Sequence, residues 1–156
     1  MFPRRLLLIT ALLLSTAAGA APRPYDETAN ANAELERAIA SAAAANKRVL
    51  VVFGANWCPD CVALDAAMKN GRIAELVDKE FVVVKVDVGN FDRNLALAQQ
   101  FGNPIKKGIP AAVLLSKDRQ VLYATRAGEL SNARRMSESG VHDFMKKIGE
   151  PAAAAK

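Results

Sequence analysis

The sequence predicts an α/β fold: a central four-stranded mixed sheet flanked by helices, with an extra helix at the N-terminal end. Three observations carry this. Two β-branched runs, RVLVVF (48–53) and FVVVKVDV (81–88), are separated by helix-forming sequence, and strands joined by a helical crossover run parallel. Two further apolar runs, AAVLLS (111–116) and QVLYAT (120–125), are separated only by Lys117, Asp118 and Arg119, a link so short that they must pair antiparallel. Segments with helical spacing precede, separate and follow these strands, so both faces of the sheet are covered.

Taken in order, residues 22–25 (PRPY) read as an extended lead-in. Residues 29–45 place Leu35, Ala38, Ile39 and Ala42 on one helical face in an alanine-rich segment, with Asp26, Thr28, Asn30 and Asn32 offering caps. The run 48–53 is a buried strand, 54–57 a short loop, and 58–69 a helix closed by Asn70 and Gly71. Residues 72–79 form a further short helix, 81–88 the second strand and 89–93 a loop, after which Asn94 caps a helix that Gly102 stops. The segment 103–110 reads as irregular and leads into the hairpin. Val141, Phe144, Met145 and Ile148 mark a last amphipathic helix. The tail, PAAAAK, is low-complexity.

The 156 residues suit one domain with one core, and 51% apolar against 24% charged residues argues against disorder. The start, with Arg4 and Arg5, an apolar run from Leu6 to Leu14 and Ala18-Gly19-Ala20, has the layout of a secretory signal peptide over residues 1–20. The apolar run is short of the ~20 residues of a membrane span. The Leu-rich run favours the general secretion route, with the arginine pair leaving twin-arginine export open. Cleavage would remove two of 21 basic residues and none of 16 acidic ones, leaving a mild +3 with no basic stripe. Nucleic acid is therefore not an expected partner. Residues 21–32 read as lead-in and helix start, 33–148 as the domain and 149–156 as a flexible tail.

Both cysteines, Cys58 and Cys61, lie in VVFGANWCPDCVALD beside the only tryptophan, Trp57. A bridge across two residues would close a very small loop and stabilise little. A working thiol pair and a metal site remain. Cys58 opens a helix, where unpaired N–H groups and the positive dipole end favour thiolate over thiol. Pro59 suits the first helical position because its missing N–H would be orphaned anyway. Cys61 sits one turn in and is expected to be the more buried. A copper(I) site would use the same soft sulfurs, but no third ligand is spaced for it, so no metal is expected. His142, the only histidine, reads as a partly exposed helix residue.

A strand, then Trp-Cys-Pro-Asp-Cys opening a helix, then Gly108-Ile109-Pro110 before the third strand: this set resembles the thioredoxin family over roughly residues 33–148. The resemblance implies a thioredoxin-like fold and an enzyme, a thiol–disulfide oxidoreductase with no cofactor beyond a redox-active Cys58–Cys61 disulfide. It assigns Cys58 as nucleophile and Cys61 as resolving thiol. It also implies a cis peptide before Pro110, with the Ile109 backbone pairing to substrate. Trp57 would shield the sulfurs and touch substrate, or simply pack at the strand–helix junction. Lys85 stands where the family keeps a lysine near the buried thiol; a neighbouring cation would support thiolate formation, and a snorkelling edge residue is the equal alternative. Asp60 beside Cys58 would oppose the thiolate and make a milder oxidant, which leans the reading to reductase or isomerase. One departure stands out. The family places a buried aspartate six residues before the first cysteine, and this chain has Val52. The acceptor for the Cys61 proton is then unassigned, with Asp65 and Asp87 the nearest acids.

The expectation is thus a monomeric, periplasmic or secreted protein exchanging with protein thiols and disulfides, recharged by a membrane electron donor or a recycling redox protein. The alternatives are a copper-handling protein and a redox-silent module that binds unfolded chains.

Overall fold

In the computed structural model, residues 21–150 are described. The signal-peptide reading of 1–20 and the tail beyond 150 lie outside them. The element order is α1 (Ala31–Ala45), β1 (Arg48–Gly54), α2 (Pro59–Met68), α3 (Gly71–Glu80), β2 (Phe81–Asp87), α4 (Leu95–Gln100), β3 (Ala111–Leu115), β4 (Val121–Ala124) and α5 (Glu138–Gly149). Short 3₁₀ turns occupy Pro104–Lys107 and Ala133–Arg135. The four strands form one sheet in the order β2-β1-β3-β4. β1 and β2 are parallel, with Val52 opposite Lys85, while β3 runs antiparallel to both β1 and β4. The sheet is therefore the mixed one that the crossover and the hairpin demand.

Period-2 alternation divides the core between the two faces. Val49, Val51 and Phe53 of β1, with Ala111, Val113 and Leu115 of β3, pack towards Leu35, Ala38 and Ile39 of α1. Leu50, Val52, Ala112 and Leu114 pack instead with Leu64, Ile73, Val77, Val141 and Met145 of α2, α3 and α5. Residues 49–53 are all wholly inaccessible, which is why that strand reads as an unbroken apolar run rather than an alternating one. Asn30 caps α1 by accepting the Ala33 N–H at 3.1 Å, and Asn46 closes it in the left-handed conformation. Among the described residues no helix is long and apolar enough to cross a membrane.

Two local expectations are refined. Asn94 stands at the N-cap of α4, but its side chain makes no cap hydrogen bond: its φ is 52°, and its side-chain amide donates to the Asp87 carbonyl at 2.7 Å. The irregular 103–110 stretch contains a 3₁₀ turn led by Pro104. The lead-in also carries a core residue, because Tyr25 is only 3% exposed and packs in the first cluster.

Candidate active site

The site lies where β1 ends and α2 begins. Cys58 is the N-cap of α2, and Pro59 takes the first helical turn. The sulfur of Cys58 accepts the Cys61 N–H at 3.2 Å, so one orphan donor of the helix is spent on it. Cys58 and Cys61 form a disulfide with Cα atoms 5.2 Å apart. Cys58 keeps 4% of its surface and Cys61 none, so an incoming thiol or disulfide meets Cys58 first. The Ile109–Pro110 peptide is cis. The Ile109 carbonyl oxygen stands 3.7 Å from Cys58 Sγ, which brings the loop before β3 against the reactive end of the pair.

Trp57 is exposed, and its indole N–H donates to the Gly89 carbonyl at 2.8 Å. Its ring meets Phe91, centroids 6.2 Å apart. Phe91 sits at φ 62°, an unusual setting for a bulky side chain. The loop that holds it is pinned from below: Asp87 accepts from the Gly89 N–H at 3.1 Å and from Arg93 at 3.2 Å. Exposed aromatic surface is thereby fixed beside the cysteines.

Asp60 lies in the first turn of α2, but its carboxylate turns away towards the segment before α5. It accepts the Arg134 N–H at 3.0 Å, and the Arg134 guanidinium stands 3.8 Å away. The negative charge expected to oppose a Cys58 thiolate is thus partly offset by a cation. Lys85 does not offer a free ammonium to the sulfurs. It pairs with Asp65 of α2, which Lys69 also contacts at 2.7 Å. Burial pushes the Asp65 carboxyl up, but hydrogen bonds from Lys69 and Lys85 outweigh it and hold the group below its usual range. Asp87 is spent on the 89–93 loop. Neither of the two acids nearest in sequence is an unengaged base for Cys61.

A thioredoxin-like family model matches residues 30–117. This chain belongs to the thioredoxin-like family. Among solved structures, it resembles a disulphide isomerase from Xylella fastidiosa Temecula1 with 51% identity and a TM-score of 0.81, over 84% of this chain and 100% of that one. A thioredoxin from Thermus thermophilus, 21% identical over 72% of this chain and 79% of its own, has a TM-score of 0.51 and shares the fold. No curated protein matches the chain.

Within this thioredoxin-like frame, Val52 is wholly buried and packs in the cluster of Leu64 and Met68. The carboxylate partner of Lys85 sits on α2 rather than on β1. Four residues at the site carried no signal in the sequence. Arg134 and Phe91 lie in stretches without period. Asn56 and Tyr25 meet only through the fold: Asn56 Nδ2 donates to the Tyr25 carbonyl at 2.8 Å, and Asn56 Oδ1 accepts the Tyr25 N–H at 3.0 Å. A lone tyrosine between prolines and polar residues looks like a linker until this clamp is seen.

Proposed function

We propose that the protein is an exported thiol–disulfide oxidoreductase that exchanges its Cys58–Cys61 pair with protein thiols and disulfides, working as a reductase or isomerase. The observation that carries this is the disulfide at the N-terminus of α2, faced by the Ile109 carbonyl and flanked by exposed Trp57 and Phe91. The likeness to the Xylella disulphide isomerase supports it.

In the reducing direction the Cys58 thiolate attacks a substrate disulfide and forms a mixed disulfide, releasing one substrate thiol. Cys61 then attacks Cys58, closes the internal disulfide and releases the second thiol. Two electrons pass to the substrate, and a membrane electron donor or recycling redox protein restores the dithiol. The helix N-terminus and the Cys61 N–H stabilise the Cys58 thiolate. The Ile109 backbone offers hydrogen bonds to an extended substrate segment, and Trp57 with Phe91 supplies apolar contact beside it. Asp60, tempered by Arg134, keeps the pair from being a strong oxidant. Lys85 is paired with Asp65 and takes no part in the exchange.

Equilibration against glutathione tests this directly. A potential nearer the ~−270 mV of reductants than the ~−120 mV of strong oxidants is expected, and Cys58→Ser should abolish exchange with a protein disulfide. Retained exchange in that variant, or stoichiometric copper in the reduced protein, would sink the proposal. Export is checked by expression in a diderm bacterium: a periplasmic product beginning at Ala21 is expected, and an uncleaved cytosolic one counts against it.

A further inference from the structure

Tyr25 is far in sequence from the cysteines, yet it packs in the cluster that contains both of them. Two features hold it there. The first is the Asn56 clamp, in which one side-chain amide satisfies both backbone groups of Tyr25. Asn56 lies two residues before Cys58, so the clamp ties Tyr25 to the loop that carries the reactive sulfur. The second is Gly54. A Cβ at this position would collide with the Tyr25 hydroxyl and stand 3.0 Å from Cys61 Sγ. The backbone of Gly54 is not left-handed, so what matters there is the room that its missing side chain leaves. The phenol and the Cys61 sulfur border that same space.

We infer that the Tyr25 hydroxyl serves Cys61 in the resolving step, donating a hydrogen bond to the Cys61 thiolate as it attacks Cys58. The inference rests on the thiol–disulfide reading above. It supplies a polar partner for the buried sulfur in a chain whose β1 offers Val52 instead of an acid.

The chemistry is that of a donor rather than a base. Burial first, then the negative charges of Asp65 and Asp87, push the Tyr25 phenol well above its ordinary range, so it keeps its proton. Those two carboxylates are themselves held by cations, Asp65 by Lys69 and Lys85 and Asp87 by Arg93. In the step, Cys61 gives up its thiol proton and its sulfur bonds to Cys58 Sγ. The bond from Cys58 to the substrate sulfur breaks with its electron pair, and the departing thiolate takes up a proton. One disulfide is exchanged for another, the substrate sulfur is reduced, and the cysteine pair is oxidised. Tyr25 returns unchanged.

The test uses the reduced protein and a chromogenic aromatic disulfide, followed by stopped flow across pH. The first coloured thiol reports attack by Cys58 and the second reports resolution by Cys61. In Tyr25→Phe the ring stays and only the donor goes. If the Cys61 thiol then titrates about one unit higher, its thiolate fraction at low pH falls about tenfold, while its greater basicity raises nucleophilicity about threefold. Resolution should therefore be about three- to fourfold slower than wild type below both pKa values and about threefold faster above both. The two pH profiles cross, which loss of packing alone would not produce. Asn56→Ala, which releases the backbone clamp on Tyr25, should shift the profile the same way and carries the test if Tyr25→Phe is unfolded by circular dichroism. Parallel or superimposable second-phase profiles in folded variants would overturn the role of Tyr25 while leaving the redox reading intact. A wild type that releases no thiol at all would overturn the redox reading itself.

Discussion

Replacing Lys85 by Met removes one of the two ammonium groups that hold Asp65. The Asp65 side chain is 8% exposed, Lys85 24% and Lys69 62%. Lys69 is the more solvated partner, so water screens its share, and Lys85 is the less exposed of the two cations. Hydrogen bonds to charged groups are worth about 1.5–3 kcal/mol, and stripping a fully buried pair of one partner costs about 3–5 kcal/mol. Lys85 keeps some contact with water, so the lower range governs, and we expect a loss of about 2 kcal/mol at pH 7. For a chain of this size that is a fall in Tm of about 8 °C. Lys69→Met should cost less, about 1 kcal/mol. The effect depends on pH in a defined direction. Asp65 is held below the ordinary aspartate value, so its contribution is complete above about pH 3.9 and disappears as pH falls through the lower folded pKa. The gap between wild type and Lys85→Met should be full near pH 7 and narrow towards pH 2. Urea titrations followed by circular dichroism at several pH values measure it. A gap that persists undiminished at pH 2 would refute the assignment of Lys85 to Asp65, and equal losses for Lys69→Met and Lys85→Met would refute the ranking of the two cations.

Other perturbations probe the site and the frame that carries it. Asp60→Asn removes a charge that opposes the Cys58 thiolate and should raise the reduction potential, while Arg134→Ala unmasks that charge and should lower it. Each shift should stay below about 30 mV, or 1.4 kcal/mol, and glutathione equilibria read both; shifts of the same sign would contradict the Asp60–Arg134 pairing. Cys61→Ser should arrest the reaction at the mixed disulfide, visible as a stable substrate adduct by mass spectrometry, whereas free turnover would require another resolving group. Asn30→Ala removes the side-chain cap of α1 and should cost about 1 kcal/mol in urea unfolding without changing thiol exchange.

The strands were legible because their chemistry is local. Residues 48–53 and 81–87 are β-branched runs, the first buried on both faces and the second, at the sheet edge, partly so, and the three-residue link after Ser116 leaves β3 and β4 no choice but a hairpin. The cysteine pair was equally plain, since Trp-Cys-Pro-Asp-Cys carries its own helix start. What sequence reasoning missed are pairings between distant segments. Lys85 gave no sign that its partner would be Asp65, because the two are joined only when α2 packs over the strand beside Val52. Asn94 looked like a side-chain cap, but its amide is turned to donate to the Asp87 carbonyl. Arg134 follows a stretch with no period, so nothing aimed it at Asp60.

The placement of Tyr25 bears on where this protein begins. The match to the thioredoxin-like family starts at residue 30, and a chain shortened to that boundary would retain both cysteines, the Ile109 loop and every strand. It would lack the phenol over Gly54 and leave Asn56 holding nothing. On the proposed cleavage after Ala20, Tyr25 is the fifth residue of the mature chain, so a trim of only five residues removes it. Two preparations of the same dithiol, one intact and one trimmed by a few residues, would then differ in how fast they resolve a captured partner.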